Sequence, residues 1–143
     1  MFLAVFDPIT GALQYVNAGQ NPPMLRRVHG AVERLTAGGV ALGMFELSSY
    51  ATGATSLGAG DVLVLFSDGI TEAENKRGDF FDEAGLGDVI DRHWWEDAVT
   101  LGRAIVSSVE AHAADTRLND DLTVLAIRRP MPIPHGLAAS TGH

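Results

Sequence analysis

Three aspartates stand at the ends of two apolar segments, where their spacing could support metal chemistry. Asp68 follows the apolar run 62–66, and Asp120 and Asp121 directly precede the run 122–127. If these runs are neighbouring antiparallel strands, the end of one and the start of the other lie at the same sheet edge. Carboxylates crowded in this way repel one another unless a hard divalent cation such as Mg²⁺ or Mn²⁺ binds them. This spacing makes Asp68, Asp120 and Asp121 candidate metal ligands.

A structural interpretation of the same aspartates stays open. An Asp-Gly pair such as Asp68-Gly69 is common in turns after strands, although Gly69 would also allow a ligand to approach closely. The sequence Asn119-Asp120-Asp121 could equally cap a preceding helix or loop.

A serine nucleophile is the second chemical possibility. Ser67 follows an apolar run and precedes a predicted helical turn, as the nucleophile of an α/β-hydrolase does. That motif has glycine two residues before and two residues after the serine, whereas this chain has Leu65 and Gly69. His112 would serve as the general base, although a histidine in an amphipathic helix is more often a packing or surface residue. A serine hydrolase is therefore an alternative that matches only half of its template.

The elements that would position these residues are mostly strands, then helices, then a last strand. This order and the hairpin signals favour an α+β fold with antiparallel sheets and segregated helices. An irregular loop is expected over 78–87, and a helix is predicted over 95–114 from apolar residues at three- and four-residue steps. The predicted strands are 2–6, 13–17, 24–28, 31–35, 62–66 and 122–127. The first two are predicted to pair as a hairpin, and 24–28 and 31–35 as a second hairpin around His29-Gly30.

The composition excludes several classes of function. The 143 residues, 46% hydrophobic and 20% charged, are typical of one globular domain, and the net charge of −8 disfavours nucleic-acid binding. Cysteine is absent, which excludes disulfides, thiolate zinc sites and cysteine nucleophiles. No apolar run reaches the ~18 residues of a membrane helix, and the short run at 1–6 does not fit a signal peptide. A cytoplasmic protein without a membrane partner is expected.

Three segments taken together resemble a known family. The segment 15–23, Tyr-Val-Asn-Ala-Gly-Gln-Asn-Pro-Pro, is similar to the Asn-Ala-Gly-His-x-Pro-Pro signature of bacterial metal-dependent phosphatases. These are the PPM-type (PP2C-like) enzymes of the SpoIIE and RsbU type. The segments 57–72, LGAGDVLVLFSDGITE, and 119–125, NDDLTVL, resemble the next block and the closing block in the family's order. Gln20 departs from the pattern, because the family usually has histidine there.

The resemblance implies both a fold and a reaction. The fold is a sandwich of two antiparallel sheets flanked by helices, and the reaction is hydrolysis of phosphoserine or phosphothreonine by water that bridges two Mn²⁺ or Mg²⁺ ions. By position, Asp68 and Asp120 match metal-ligating aspartates, and Asp121 matches a position that holds asparagine or aspartate in related enzymes. The implied partner is a phosphorylated regulatory protein such as an anti-sigma-factor antagonist.

The resemblance covers roughly residues 2–129, which predicts a partial phosphatase domain at 1–129 and a flexible tail at 130–143. In the family, a Gly-Asp segment and an Asp-x-x-Gly-His-Gly segment precede the first hairpin and supply further metal ligands. This sequence does not contain them, so the N-terminal part of the domain is expected to be missing. Weak metal binding, low or absent activity and self-association through an exposed sheet edge are then expected. The alternative is a non-catalytic remnant that binds a phosphoprotein.

Overall fold

The computed structural model describes residues 1–46, 48–114, 116 and 120–132. Within them, two four-stranded sheets and three helices form an α+β fold. The elements are β1 (Phe2–Phe6), β2 (Ala12–Ala18), β3 (Met24–Arg26), β4 (Val32–Arg34), β5 (Gly38–Gly39), β6 (Gly53–Ser56), β7 (Val62–Phe66), α1 (Asp68–Thr71), α2 (Asp82–His93), α3 (Ala98–Ala113) and β8 (Val124–Arg128).

The first sheet is built around β2. Strand β1 pairs antiparallel with one edge of β2, while β6 and the short β5 pair with its other edge. The second sheet has the order β4-β3-β7-β8 and is antiparallel throughout. The predicted hairpins β1–β2 and β3–β4 are therefore confirmed, whereas the short parallel pair of β2 and β5 was not expected.

The two sheets stack face to face, and the helices cover the outer face of the second sheet. Strand β7 is buried on both sides, as its continuous apolar run predicts. The antiparallel sandwich flanked by helices is thus confirmed. The core between the sheets contains Leu13, Tyr15, Leu25, Leu35, Leu57 and Leu63. The core between the second sheet and the helices includes Val62, Val64, Phe66, Leu86, Val89, Ile90, Leu101, Ile105 and Val109.

The loop predicted over 78–87 is wrong in its second half, because α2 begins at Asp82. Asp82 Oδ1 accepts hydrogen bonds from the amides of Ala84 and Gly85 at 2.8 and 3.0 Å, which satisfies two donors of the first helical turn. Gly85 and Gly87 are poor helix formers, so they conceal the helical pattern in the sequence. The buried face of α2 is formed by Leu86, Val89 and Ile90.

Helix α3 is shorter than the predicted 95–114 because an N-cap sets its start. Asp97 Oδ1 accepts hydrogen bonds from the amides of Val99 and Thr100, both at 2.9 Å. The last strand, predicted at 122–127, is β8 at Val124–Arg128.

A buried carboxylate joins the two sheets at the turn before β7. Asp61 accepts hydrogen bonds from the amides of Val28 and Gly58, both at 2.9 Å, and pairs with Arg27 at 2.8 Å. Arg27 lies beside β3 of the second sheet and also donates to Thr55 Oγ1 on β6 of the first sheet at 2.9 Å. Burial alone would raise the pKa of Asp61, but the hydrogen bonds from Arg27 and the two amides hold that pKa below its usual value.

Strands β1 and β8 lie at the edges of their sheets. Within the described residues, β1 pairs only with β2 and β8 only with β7. The side chains of Leu3 and Val5 are 59% and 70% exposed. The exposed sheet edges expected from the sequence are therefore present. A cavity of about 240 Å³ between the sheets is lined by Phe2, Ala4, Phe6, Leu13, Leu57, Leu63, Leu65, Leu125 and Ile127.

The remaining expectations concern membrane helices, the C-terminal tail and the closing block. None of the helices in the described ranges is long and apolar enough to cross a membrane. Most of the predicted tail, from residue 133 onward, lies outside the described residues. Asn119 of the closing block lies outside them as well.

Candidate metal centre

The candidate centre lies where β7 ends and β8 begins. Phe66 is paired with Val124 at this end of the two antiparallel strands. The hydrogen bonding extends one residue further, because the Ser67 amide donates to the Thr123 carbonyl at 3.0 Å. The neighbour relation predicted from the sequence is therefore confirmed, and Asp68 lies at the same sheet edge as the segment 120–121.

The Ser67 side chain fastens these two chain segments together. Its hydroxyl donates to the Asp121 carbonyl at 3.1 Å and accepts from the Thr123 amide at 3.0 Å. Both partners are backbone groups, so the contact fixes the course of the chain beside Asp68 rather than any one side chain.

Gly69 permits the close approach of the same segment. A Cβ atom built at Gly69 would lie 2.5 Å from the Asp121 carbonyl oxygen and 3.2 Å from its carbon. Real side chains essentially never approach a backbone atom so closely. Gly69 is therefore required here by the packing of two backbones, whereas the sequence suggested a turn and the close approach of a ligand.

The three predicted carboxylates are all exposed at this edge. Asp68 Oδ1 accepts from the Gly69 amide at 3.1 Å, and Asp120 Oδ1 accepts from the Asp121 amide at 2.8 Å. Each of these bonds engages one oxygen, and an ionised carboxylate has further lone pairs for a cation. The predicted ligand assignment of Asp68, Asp120 and Asp121 stays a prediction.

A cavity of about 240 Å³ lies beside Asp120 and includes two carboxylates that sequence reasoning missed as site residues. Glu72 and Glu74 are four and six residues after Asp68, and both are exposed. The only sequence signal that could have identified them as site residues was their position a few residues after the Asp68-Gly69 pair. The cavity is lined by Gly69, Glu72, Ala73, Glu74, Phe80 and Asp120.

The donor chemistry of this edge fits a hard divalent cation. Every candidate ligand is a carboxylate oxygen, which Mg²⁺ and Mn²⁺ prefer over nitrogen or sulfur. Among the described residues, however, no three His, Asp or Glu side chains converge closely enough to hold an ion. The edge thus offers suitable ligands without a closed coordination shell.

The loop after β2 reaches the same edge through Gln20. Asn17, which is only 6% exposed, accepts from the Gln20 amide at 2.8 Å and donates to the Gln20 carbonyl at 2.9 Å. The Gln20 side chain then donates from Nε2 to the Phe66 carbonyl at 3.1 Å. Sequence reasoning noted Gln20 only as a departure from the signature.

The serine hydrolase alternative finds no support in this geometry. The Ser67 hydroxyl is engaged with the backbone of Asp121 and Thr123. The proposed base, His112, has its Nε2 2.9 Å from the Asp79 carbonyl, and its ring packs against Phe81 in a T-shaped arrangement. The described structure does not bring the two side chains together as a nucleophile and base.

Similarity to known proteins agrees with this arrangement. The sequence model of the family described as Stage II sporulation protein E (SpoIIE) matches residues 1–130. The chain is 30% identical over 130 residues to Phosphoserine phosphatase RsbU of Bacillus subtilis, which covers 90% of this chain and 38% of RsbU. It is 27% identical over 129 residues to Protein IcfG of Synechocystis sp., which covers 90% of this chain and 20% of IcfG. The chain thus spans well under half the length of these relatives.

A solved structure has the same fold. The PP2C phosphatase domain of SpoIIE from Bacillus subtilis, solved with a fragment of its regulatory domain, superposes with a TM-score of 0.74 at 20% identity. The match covers 89% of this chain and 36% of that one. The family's sequence model extends from the first hairpin through β8, so it covers both sheets and the sheet edge with Asp68, Asp120 and Asp121. This chain therefore belongs to the SpoIIE family.

Proposed function

We propose that this chain is part of a cytoplasmic, metal-dependent protein serine/threonine phosphatase of the SpoIIE/RsbU type. The observation that carries the proposal is the position of Asp68 beside the segment 120–121 at one sheet edge. The name of RsbU, a phosphoserine phosphatase, supports phosphoserine as the group hydrolysed. A SpoIIE phosphatase domain of this fold described as Mn presoaked supports Mn²⁺ as a metal. The proposed substrate is a phosphorylated regulatory protein, such as an anti-sigma-factor antagonist.

In this proposal Asp68, Asp120 and Asp121 hold the Mn²⁺ or Mg²⁺ ions. The metal, when bound, activates a water molecule and offsets negative charge on the phosphoryl group. The chain's own contribution is to fix the carboxylates in advance. Ser67 holds the Asp121 carbonyl, and Gly69 lets that carbonyl approach.

We further propose that metal binding and turnover by this chain alone are weak. Mg²⁺ takes six oxygen ligands in near-ideal geometry, and Mn²⁺ also prefers oxygen ligands in octahedral geometry. Three carboxylates with no converging group of three among the described residues supply part of such a set. Turnover far slower than that of a complete relative is the expected consequence.

The test compares two Asp→Asn variants that carry the same change of charge. Asp68→Asn removes a proposed ligand, whereas Asp88→Asn alters an exposed carboxylate on α2. Hydrolysis of p-nitrophenyl phosphate and of a phosphoserine peptide is measured with and without Mn²⁺. We expect slow, Mn²⁺-dependent turnover that Asp68→Asn abolishes and Asp88→Asn retains. Turnover that is independent of Mn²⁺, or equal in both variants, would contradict the proposal.

A second candidate function is phosphoprotein binding without hydrolysis. The observation that favours it is the lack, within the described part of the chain, of three converging metal-ligating side chains. Absence of turnover in the wild-type protein, together with tighter binding of a phosphorylated regulatory protein than of its unphosphorylated form, would favour this candidate. Equal binding of the two forms would exclude it.

A further inference from the structure

The Phe66–Ser67 peptide group, which precedes the Ser67–Asp68 peptide group, is held at both of its polar atoms. Its N–H donates to the Thr123 carbonyl at 3.0 Å, which continues the pairing with β8. Its carbonyl oxygen accepts from Gln20 Nε2 at 3.1 Å. Two hydrogen bonds on opposite sides of this planar group restrict its rotation and so fix the direction in which the chain enters Ser67, the residue before Asp68.

Gln20 is itself held in place by its own loop. Asn17 binds both the amide and the carbonyl of Gln20 at 2.8 and 2.9 Å. The Asn17 side chain also donates to the Leu35 carbonyl at 3.4 Å, which ties this loop to the chain following β4. The Gln20 side chain therefore extends toward β7 from an anchored backbone, so its amide loses little freedom on binding the Phe66 carbonyl.

We propose that Gln20 is a positioning residue for the metal centre, acting on Asp68 through the Phe66–Ser67 peptide. This inference rests on the proposed function, because it takes Asp68 as a metal ligand. Gln20 touches no reacting group, and its role is to fix the backbone from which the Asp68 carboxylate projects. Groups that hydrogen-bond metal ligands directly commonly contribute about 10–100-fold to metal affinity, and a group that acts through the backbone is expected at the low end of that range.

The test distinguishes a role of the Gln20 side chain as a hydrogen-bond donor from a role in which its side chain only fills space. Gln20→Met keeps the length of the side chain and removes the donor, whereas Gln20→His keeps an N–H donor. Gln14→Met is the matched control, because Gln14 is an exposed residue of β2. Two quantities are measured: hydrogen exchange of the Ser67 amide in metal-free protein, and Mn²⁺ affinity by titration.

We expect Gln20→Met to accelerate exchange of the Ser67 amide, while the amides of α3 keep their wild-type rates. We expect the same variant to weaken Mn²⁺ binding by about 10-fold. Gln20→His should keep both quantities at their wild-type values, because it keeps a donor, and Gln14→Met should change neither. If Gln20→Met lowers the folded population, Gln20→Asn replaces it, because that variant keeps the amide but is one methylene too short.

Three results would overturn the inference. The first is a wild-type exchange rate of the Ser67 amide in Gln20→Met. The second is exchange of that amide in Gln20→His as fast as in Gln20→Met. The third is faster exchange in Gln20→Met with wild-type Mn²⁺ affinity, while Asp68→Asn does weaken Mn²⁺ binding. If Asp68→Asn leaves Mn²⁺ affinity unchanged, the proposed function fails at its ligand assignment, and this outcome is distinct from all three.

Discussion

Substitution of Gly69 by alanine should destabilise the protein, although alanine is the better helix former. Gly69 lies in α1 and faces the Asp121 backbone. The new Cβ atom would lie 2.5 Å from the Asp121 oxygen, and ordinary contact begins at 3.4 Å, so one backbone must retreat by about 0.9 Å. That retreat also strains the hydrogen bond from Ser67 to the same carbonyl.

The size of the effect follows from two opposing contributions. Replacing glycine by alanine inside a helix stabilises a protein by roughly 0.5–1 kcal/mol. Overpacking by one methyl group costs about 1–3 kcal/mol when rigid neighbours must move. Substitution of Gly87 in α2 or Gly102 in α3 by alanine should bring only the gain in helix stability. A Cβ atom at either position meets nothing within 4 Å, so no overpacking opposes that gain.

Gly87→Ala and Gly102→Ala should therefore stabilise the protein, and Gly69→Ala should fall below them by about 1–3 kcal/mol in free energy of unfolding. At roughly 3 °C per kcal/mol, thermal unfolding should separate Gly69→Ala from the two controls by about 3–9 °C. Urea unfolding of the three variants and the wild type provides the second measurement. A Gly69→Ala variant as stable as Gly87→Ala would refute the argument for close packing of Gly69 on Asp121.

Three further predictions concern the sheets and the helix cap. Because the hydrogen bonds to Asp61 lower its pKa in the folded state, its stabilising contribution is present at neutral pH and is lost below about pH 4. The wild type should therefore lose more stability than Asp61→Asn between neutral pH and pH 3 in urea unfolding, and parallel curves would contradict this. We expect copies of the chain to associate through the edge of β1, and Val5→Lys to lower the molar mass measured by light scattering. Equal molar masses of variant and wild type would argue against that interface. Asp97→Ala should lower the melting temperature by removing the α3 cap, with Asp88→Ala as an exposed control, and equal melting would contradict the cap assignment.

The sequence was informative where one local pattern determines one structural outcome. The uninterrupted apolar run of β7 indicated a strand buried on both faces, and the aspartates that flank β7 and β8 indicated a shared sheet edge. The first inference holds because the other sheet covers one face of β7 and the helices cover the other. The second holds because antiparallel neighbours place the end of one strand beside the start of the next. The start of α2 was missed because Gly85 and Gly87 lower helix propensity, while tertiary burial of its apolar face determines the outcome.

Contacts between distant segments could not be predicted from the sequence. The hydrogen bond from Gln20 to Phe66 joins residues 46 positions apart, and that from Ser67 to Asp121 joins residues 54 apart. The first depends on how the two sheets stack, and the second on the course of the chain just beyond the paired ends of β7 and β8. No local spacing encodes either geometry. Glu72 and Glu74 were missed for a related reason, since the folding of the chain after α1 decides whether they line the cavity.

The residues that make the three family segments recognisable serve mainly to hold backbone in place. Asn17 binds both polar backbone groups of Gln20, Ser67 binds the backbone of Asp121 and Thr123, and Gly69 admits the Asp121 carbonyl. A cation held by carboxylates requires ligand positions accurate to a fraction of an ångström, and aspartate side chains are too short to correct an error in their backbone. The backbone contacts of Ser67 and Gly69 therefore fix the positions from which the candidate ligands project.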